Sequence, residues 1–166
     1  MSPLTTVLDS THPKQEFSCG KEMLDTYLHR QAKQDIDRKL SACFVLEDTE
    51  TKLIQGYYTL ANNSLPLSLV PPDLQKKLPK SYTAIPTTLL GRLAIDQRFQ
   101  GKGVGKLLLI DALFRSYQAS ETMGSFAVIV DPLDEEAERF YFKYGFIQLP
   151  DSGKMFLAMQ TIARLF

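Results

Sequence analysis

Three glycines in five residues, Gly101, Gly103 and Gly105, are the part of this sequence best suited to chemistry. They follow the apolar run Thr87 to Ile95 and open a run with helical periodicity. Glycine leaves main-chain N–H groups uncovered and accepts positive φ angles. A helix that starts there adds unpaired first-turn N–H groups and the positive end of its dipole, so a phosphate-bearing ligand fits on electrostatic grounds. Two familiar phosphate templates fail. The P-loop needs glycine at 100 and Ser or Thr after Lys106, where the chain has Gln100 and Leu107. The dinucleotide fingerprint needs a third glycine at 106 or 108, where Lys106 and Leu108 stand.

A third template fits. Gln100-Gly-Lys-Gly-Val-Gly105 resembles the [QR]-x-x-G-x-[GA] turn of the GNAT acetyltransferase superfamily. Downstream, Ala137-Glu-Arg-Phe-Tyr-Phe-Lys-Tyr-Gly-Phe146 is similar to that family's second signature, A-x-x-[FL]-Y-x-x-x-G-F. The resemblance implies an acetyl-CoA-dependent N-acetyltransferase with a central mixed β-sheet flanked by helices. It implies that the main chain of Leu93, Ala94 and Ile95 pairs with the pantetheine arm of acetyl-CoA. The N–H groups of Gln100, Gly101, Lys102, Gly103, Val104, Gly105 and Lys106 then wrap the pyrophosphate.

Acetyl transfer to an amine needs a proton for the departing thiolate. A free thiol has a pKa of about 8.5 and tyrosine about 10, so a tyrosine is protonated at neutral pH and able to donate. Tyr141 occupies the family position of this general acid, with Tyr144 as the fallback. The competing reading makes Tyr141 a core aromatic beside Phe140, Tyr144 and Phe146. Where many relatives carry Asn, this chain has Asp134, which keeps an oxygen to cap the helix but loses an amide N–H for the cofactor. No general base is named, and His12 and His29 read as surface residues.

A narrower resemblance bears on the acceptor. Phe17-Ser-Cys-Gly-Lys-Glu-Met-Leu-Asp-Thr-Tyr-Leu28, Gly56-Tyr-Tyr-Thr-Leu-Ala61 and Ile85-Pro-Thr-Thr-Leu-Leu-Gly-Arg-Leu-Ala-Ile95 resemble the acetyltransferase-type toxins of bacterial type II toxin–antitoxin systems. This implies the α-amine of aminoacyl-tRNA as acceptor, a ribbon–helix–helix antitoxin and a homodimer. Arg30, Lys33, Arg38, Lys39, Lys76, Lys77, Lys80 and Arg92 could gather on one rim for tRNA phosphates; the bland alternative is dispersed solubilising charge. Arg92, beside the pantetheine strand, is the candidate substrate-binding residue or else a structural ion-pair partner. Two other functions stand beside the toxin: acetylation of a protein, peptide or small amine, and a non-catalytic CoA-binding module.

These side chains need a scaffold. At 166 residues the chain is read as one domain spanning 1–166. Hydrophobic residues make up 44% and charged residues 23%, the balance of an ordinary globular protein. With 19 basic against 19 acidic residues, broad adhesion to nucleic acid or membrane is disfavoured. Cys19 and Cys43 lack the spacing of a metal site or disulfide framework, so no metal is expected. No apolar run is long enough to span a bilayer, and Met1-Ser-Pro-Leu-Thr-Thr lacks the basic and apolar segments of a secretory signal, so cytoplasm is the expected compartment.

Hydrophobic periodicity predicts strands at Leu4–Leu8, Cys43–Leu46, Leu53–Leu60, Thr87–Ile95, Phe126–Val130, Phe146–Leu149 and Met155–Met159. Helices are predicted over Lys21–Lys33, capped by Ser18, with Met23, Leu24, Tyr27, Leu28 and Ala32 on its apolar face. Others are predicted over Pro72–Leu78, Gly103–Gln118 (strongly amphipathic) and Asp134–Tyr144, stopped by Gly145. Asn62 to Pro86 is proline-rich and reads as loop. Antiparallel hairpins followed by strand–helix–strand–helix–strand give an α/β domain on a mixed sheet.

Overall fold

The structure, a computed structural model, describes residues 1–166. Strands β1 (Thr6–Val7), β2 (Ala42–Glu47), β3 (Ile54–Pro66), β4 (Ala84–Ile95), β5 (Ala127–Val130), β6 (Ile147–Gln148) and β7 (Met155–Ala158) form one mixed sheet. Their order is β1-β2-β3-β4-β5-β7-β6, which puts the most apolar predicted strand at the centre. The helices are α1 (Glu22–Thr26), α2 (Ala32–Asp37), α3 (Pro72–Gln75), α4 (Val104–Ser120), α5 (Glu135–Lys143) and α6 (Met159–Ala163). The α/β mixed-sheet expectation holds. The chain divides into two compact units, residues 1–61 with 90–115, and residues 62–89 with 116–166.

In the first unit, β1 pairs antiparallel with β2 and β2 with β3, so the predicted hairpin forms. Its inner face gathers Leu8, Phe17, Tyr27, Leu28, Cys43, Tyr57 and Ala94 into one core. Both cysteines are free and buried; burial pushes the Cys43 thiol up to about 12, leaving it a neutral packing group. The helix after Gly20 departs from expectation in three ways. Ser18 does not cap it: its N–H donates to Asp96 Oδ2 (3.0 Å) and its carbonyl accepts from Gln97 N–H (2.8 Å). Met23 is 67% exposed, because the buried stripe is carried by Tyr27, Leu28 and Ala32. Between α1 and α2 the backbone forms a π-helical turn, Tyr27–Gln31, with Ala32 N–H reaching the carbonyl of Tyr27.

Helix α4 is buried nearly all round rather than along one stripe: Leu108, Leu109, Ala112, Leu113 and Phe114 are buried, and so are Asp111 and Ser116. Asp111 misleads a periodicity argument because its carboxylate is fully paired. It accepts from Leu4 N–H (2.6 Å), Thr5 Oγ1 (2.5 Å) and Tyr58 OH (2.6 Å), with Arg115 Nε at 3.6 Å. A buried carboxylate is tolerated when its lone pairs are filled in this way.

In the second unit, β4 pairs parallel with β5 at Thr88↔Val128 and Leu89↔Ile129, and β7 lies antiparallel to both β5 and β6. Leu65, Val70, Ile85, Ala127, Ile129, Leu149 and Phe156 form its core. The loop predicted over Asn62–Pro86 is partly strand: β3 continues to Pro66 and β4 begins at Ala84. Asn63 and Thr87 tie these ends, Asn63 Nδ2 donating to Thr87 Oγ1 at 3.0 Å. Prolines suggested a loop, but Pro66 terminates its strand and Pro86 needs only its carbonyl, which accepts from Phe126 N–H (2.8 Å). α5 matches its prediction: Asp134 caps it by accepting from Ala137 N–H (2.9 Å), and Gly145 (φ +94°) ends it.

Candidate active site

The glycine turn is built from the strand end outward. β4 ends at Ile95, and Asp96 follows, 1% exposed, with its N–H donating to Gln55 O (2.9 Å). Burial pulls the Asp96 carboxyl up, but the side chain of Arg98 and the N–H groups of Ser18 and Arg98 outweigh it and hold the group below its usual range. Arg98 Nε lies 2.9 Å from Asp96 Oδ1, and Arg98 also reaches Glu16 O (3.0 Å). The Gln100 side chain then closes the turn: Nε2 donates to Ile95 O (2.9 Å) and to Cys19 O (3.0 Å). Its amide thus fixes the turn to the strand end, while its main-chain N–H stays available.

Gly101 and Gly103 adopt φ +76° and +81°. A β-carbon at either position would stand in open space. Packing therefore does not demand glycine there; the left-handed backbone does. The N–H groups of Gly101 to Lys106 make no well-formed hydrogen bond within the protein, and Leu107 N–H is the first to bond back, to Gly103 O (3.2 Å). Gly101, Lys102, Gly103 and Lys106 are exposed, whereas Val104 anchors the start of α4 in the interior. The turn is a set of unpaired donors at a positive helix end, flanked by two lysines.

The strand end that the resemblance assigns to the pantetheine arm runs beyond its own ladder. The ladder from β4 to β5 ends at Leu89, while β4 runs on through Leu93, Ala94 and Ile95. Ala94 is buried and Leu93 and Ile95 are half-buried. Close packing fixes this end of β4: a β-carbon on Gly56 of β3 would meet Ala94 O at 2.8 Å and Leu108 Cδ1 at 2.6 Å.

In the second unit, Tyr141 lies on α5, 7% exposed, with its ring against Phe140 (5.3 Å) and Phe146 (5.2 Å). Its hydroxyl has no protein hydrogen-bond partner and is not sealed from solvent. Burial pushes its pKa upward, so the proton is retained across the physiological range. The faces of the ring pack as the core-aromatic reading expects, and its hydroxyl tip is left without a protein partner. Tyr144 packs edge-on against Phe140 at 5.1 Å.

Arg92 is not the ion-pair partner of the second reading. It forms no ion pair; its guanidinium lies over the Tyr27 ring at 3.5 Å from the centroid. His12 is 8% exposed rather than a surface residue: its Nδ1 accepts from Asp9 N–H (3.0 Å) and Nε2 lies 3.4 Å from Glu47. His29 Nε2 is 2.8 Å from Phe17 O. No three His, Cys, Asp or Glu side chains gather to hold a metal ion. Sequence reasoning missed Asp96, the bracing role of the Gln100 amide, and the Tyr27 platform. An acidic residue at a strand end followed two residues later by arginine was the available signal for the first.

Comparison with known proteins agrees with this geometry. A model described as an acetyltransferase (GNAT) domain matches residues 39–148. The chain is 35% identical over 148 residues to the tRNA-acetylating toxin of Mycobacterium tuberculosis (strain ATCC 25618 / H37Rv), covering 89% of this chain and 86% of that one. It is similar to AtaT complexed with acetyl-methionyl-tRNAfMet, with TM-score 0.88 and 32% identity over 98% of both chains. A Tyr→Phe variant of the AtaT toxin, bound to the C-terminus of the antitoxin AtaR and acetyl-CoA, matches with TM-score 0.81 and 28% identity, covering 98% of this chain and 96% of that one. The glycine turn, the mixed sheet and these matches converge: the chain belongs to the GNAT acetyltransferase family.

Proposed function

We propose that this acetyltransferase takes its acetyl group from acetyl-CoA and delivers it to the α-amine of aminoacyl-tRNA, blocking translation as a toxin. The observation that carries the reading is the turn from Gln100 to Lys106, with Gly101 and Gly103 left-handed and its N–H groups unpaired. Unpaired donors at a helix start suit a diphosphate. The acceptor is supported by a relative named as a tRNA-acetylating toxin and by the likeness to AtaT with acetyl-methionyl-tRNAfMet.

Residues 1–166 act as one catalytic domain. Acetyl-CoA, when bound, supplies a thioester whose acyl carbon is open to attack by a neutral amine. The N–H groups of Gln100 to Lys106 hold the diphosphate, and the main chain of Leu93, Ala94 and Ile95 orients the pantetheine amides. Tyr141 donates its hydroxyl proton to sulfur as the C–S bond breaks and the C–N bond forms. The proton lost by the amine leaves through solvent, and Tyr141 is reprotonated from the same source. A homodimer and a ribbon–helix–helix antitoxin complete the proposal; likeness to AtaT bound to the C-terminus of AtaR supports the antitoxin. The proposed compartment is the cytoplasm, where charged tRNA and acetyl-CoA meet; no helix is long and apolar enough to cross a membrane.

The test is an acceptor screen with labelled acetyl-CoA over charged tRNAs, uncharged tRNA, peptides and polyamines. Label retained on charged tRNA and lost on mild deacylation is the expected result. Label on peptides or polyamines alone would overturn the tRNA acceptor.

A further inference from the structure

We propose that Arg92 and Tyr27 form a stacked shelf that binds a phosphate of the acceptor end of the tRNA substrate, with Tyr27 acting as the positioning residue. This rests on the tRNA reading above. The Arg92 guanidinium lies 3.5 Å from the centroid of the Tyr27 ring, and the Tyr27 ring in turn stacks on Tyr57 at 6.4 Å with planes 16° apart. The column is pinned at both ends. Tyr27 OH donates to Asp35 Oδ2 (2.8 Å), and Tyr57 OH donates to Leu24 O (2.7 Å).

Asp35, which meets this cluster, is thus engaged by a phenol and forms no ion pair with the arginine. No ion pair or protein hydrogen bond takes up the N–H groups of Arg92, which is half-buried. A guanidinium has five N–H donors, and one held face-down on an aromatic ring keeps its edge free for bidentate contact with a phosphate. Its stacking also reduces the entropy lost when the anion arrives.

Placement says which anion. Arg92 sits in β4 immediately before Leu93, Ala94 and Ile95, the segment assigned to the pantetheine arm. The diphosphate of the cofactor is assigned to the turn from Gln100 onward, beyond the strand end. Side chains alternate along a strand, so Arg92 shares a face with Ala94, and Ala94 packs in the core with Tyr27, Cys43 and Tyr57. The shelf therefore stands on the α1–α2 side of the strand that carries the thioester arm. The π-helical turn sets Tyr27 at its start; such turns add a residue to a helix and re-aim side chains, and they are common at functional sites.

The test measures steady-state acetylation of a charged tRNA at several salt concentrations, with acetyl-CoA affinity and thermal midpoint recorded for every variant. Arg92→Met should raise KM for charged tRNA about tenfold, leave kcat nearly unchanged and lower the log–log salt slope by about one. Arg92→Lys should restore only part of the loss, since an ammonium neither stacks flat nor binds in a fork. Tyr27→Leu should match Arg92→Met, Tyr27→Phe should stay near wild type, and the double variant Tyr27→Leu/Arg92→Met should be no worse than either single change. If wild-type protein acetylates charged tRNA and Arg92→Met does so with the same KM, the shelf is refuted. A loss that appears in acetyl-CoA affinity instead would assign the anion to the cofactor and equally refute it. Failure of wild-type protein on every charged tRNA would remove the tRNA reading itself, and the shelf with it.

Discussion

At the scale of single residues, the chemistry asks one side chain to keep a proton until sulfur needs it. In the proposed mechanism that side chain is Tyr141, which is neither free nor buried to the tip. Its ring is clamped by Phe140 and Phe146, burial raises its pKa, and its hydroxyl has no protein partner to compete with a substrate. Tyr141→Phe preserves the clamped ring and removes the donor. We expect kcat to fall by about 10²–10⁴, the usual span of general acid–base catalysis, with acetyl-CoA affinity within about twofold of wild type. Single-turnover rates and a binding titration check this; an unchanged rate takes Tyr141 out of the mechanism. The raised pKa also fixes a sign. A phenol whose pKa lies above its ordinary value of about 10 stays protonated on the alkaline side, so log kcat should show no downward limb below pH 10. A descending limb with a midpoint near 8 or 9 would contradict the assignment.

At the scale of elements, α4 links stability to the glycine turn, because it begins there at Val104 and its middle carries Asp111. That carboxylate is 1% exposed and accepts from Leu4, Thr5 and Tyr58. Arg115, which also donates to Thr5 O (2.7 Å) and lies over the Phe44 ring at 4.1 Å, is its cationic neighbour. Asp111→Ala leaves those donors without an acceptor and a partly buried guanidinium without its counter-charge. We expect a loss of about 3–5 kcal/mol in urea unfolding. A change under about 1 kcal/mol would mean that the N-terminal segment contributes little to holding this helix.

The same helix shows where sequence reading succeeds and where it stops. Strand–turn–helix order around Gly101 and Gly103 was legible, because left-handed backbone and unpaired N–H groups are local properties of glycine. The Asp134 cap and the Gly145 stop were legible for the same reason. Ser18 was misread because a cap is assigned by neighbours in sequence, whereas its partners, Asp96 and Gln97, arrive from the far end of β4. Asp111 and Ser116 made α4 look amphipathic, since polarity in a sequence does not disclose that a polar atom has a buried partner. The π-helical turn at Tyr27 and the stacking of Arg92 upon it are likewise products of tertiary contact. Fold and glycine turn were written locally; the braces that hold them were not.

At the scale of the whole molecule, zero net charge means that the proposed tRNA acceptor is to be recognised by placed cations rather than by an overall field. Lys33, one of the cations considered for an RNA rim, is already paired with Asp37 at 2.7 Å, which narrows the set. Lys76, Lys77 and Lys80 remain exposed beside α3. Everything proposed for the enzyme begins with the cofactor in the turn, and the most direct measurement is calorimetric titration of acetyl-CoA into wild-type protein and into Gly103→Val. Valine at φ +81° is strained, and its branches would enter the open space over the turn. Micromolar or tighter binding to wild type, weakened at least tenfold in Gly103→Val with the fold intact by circular dichroism, is the predicted result. Absence of binding heat with wild type, or equal affinity for both proteins, would contradict the account.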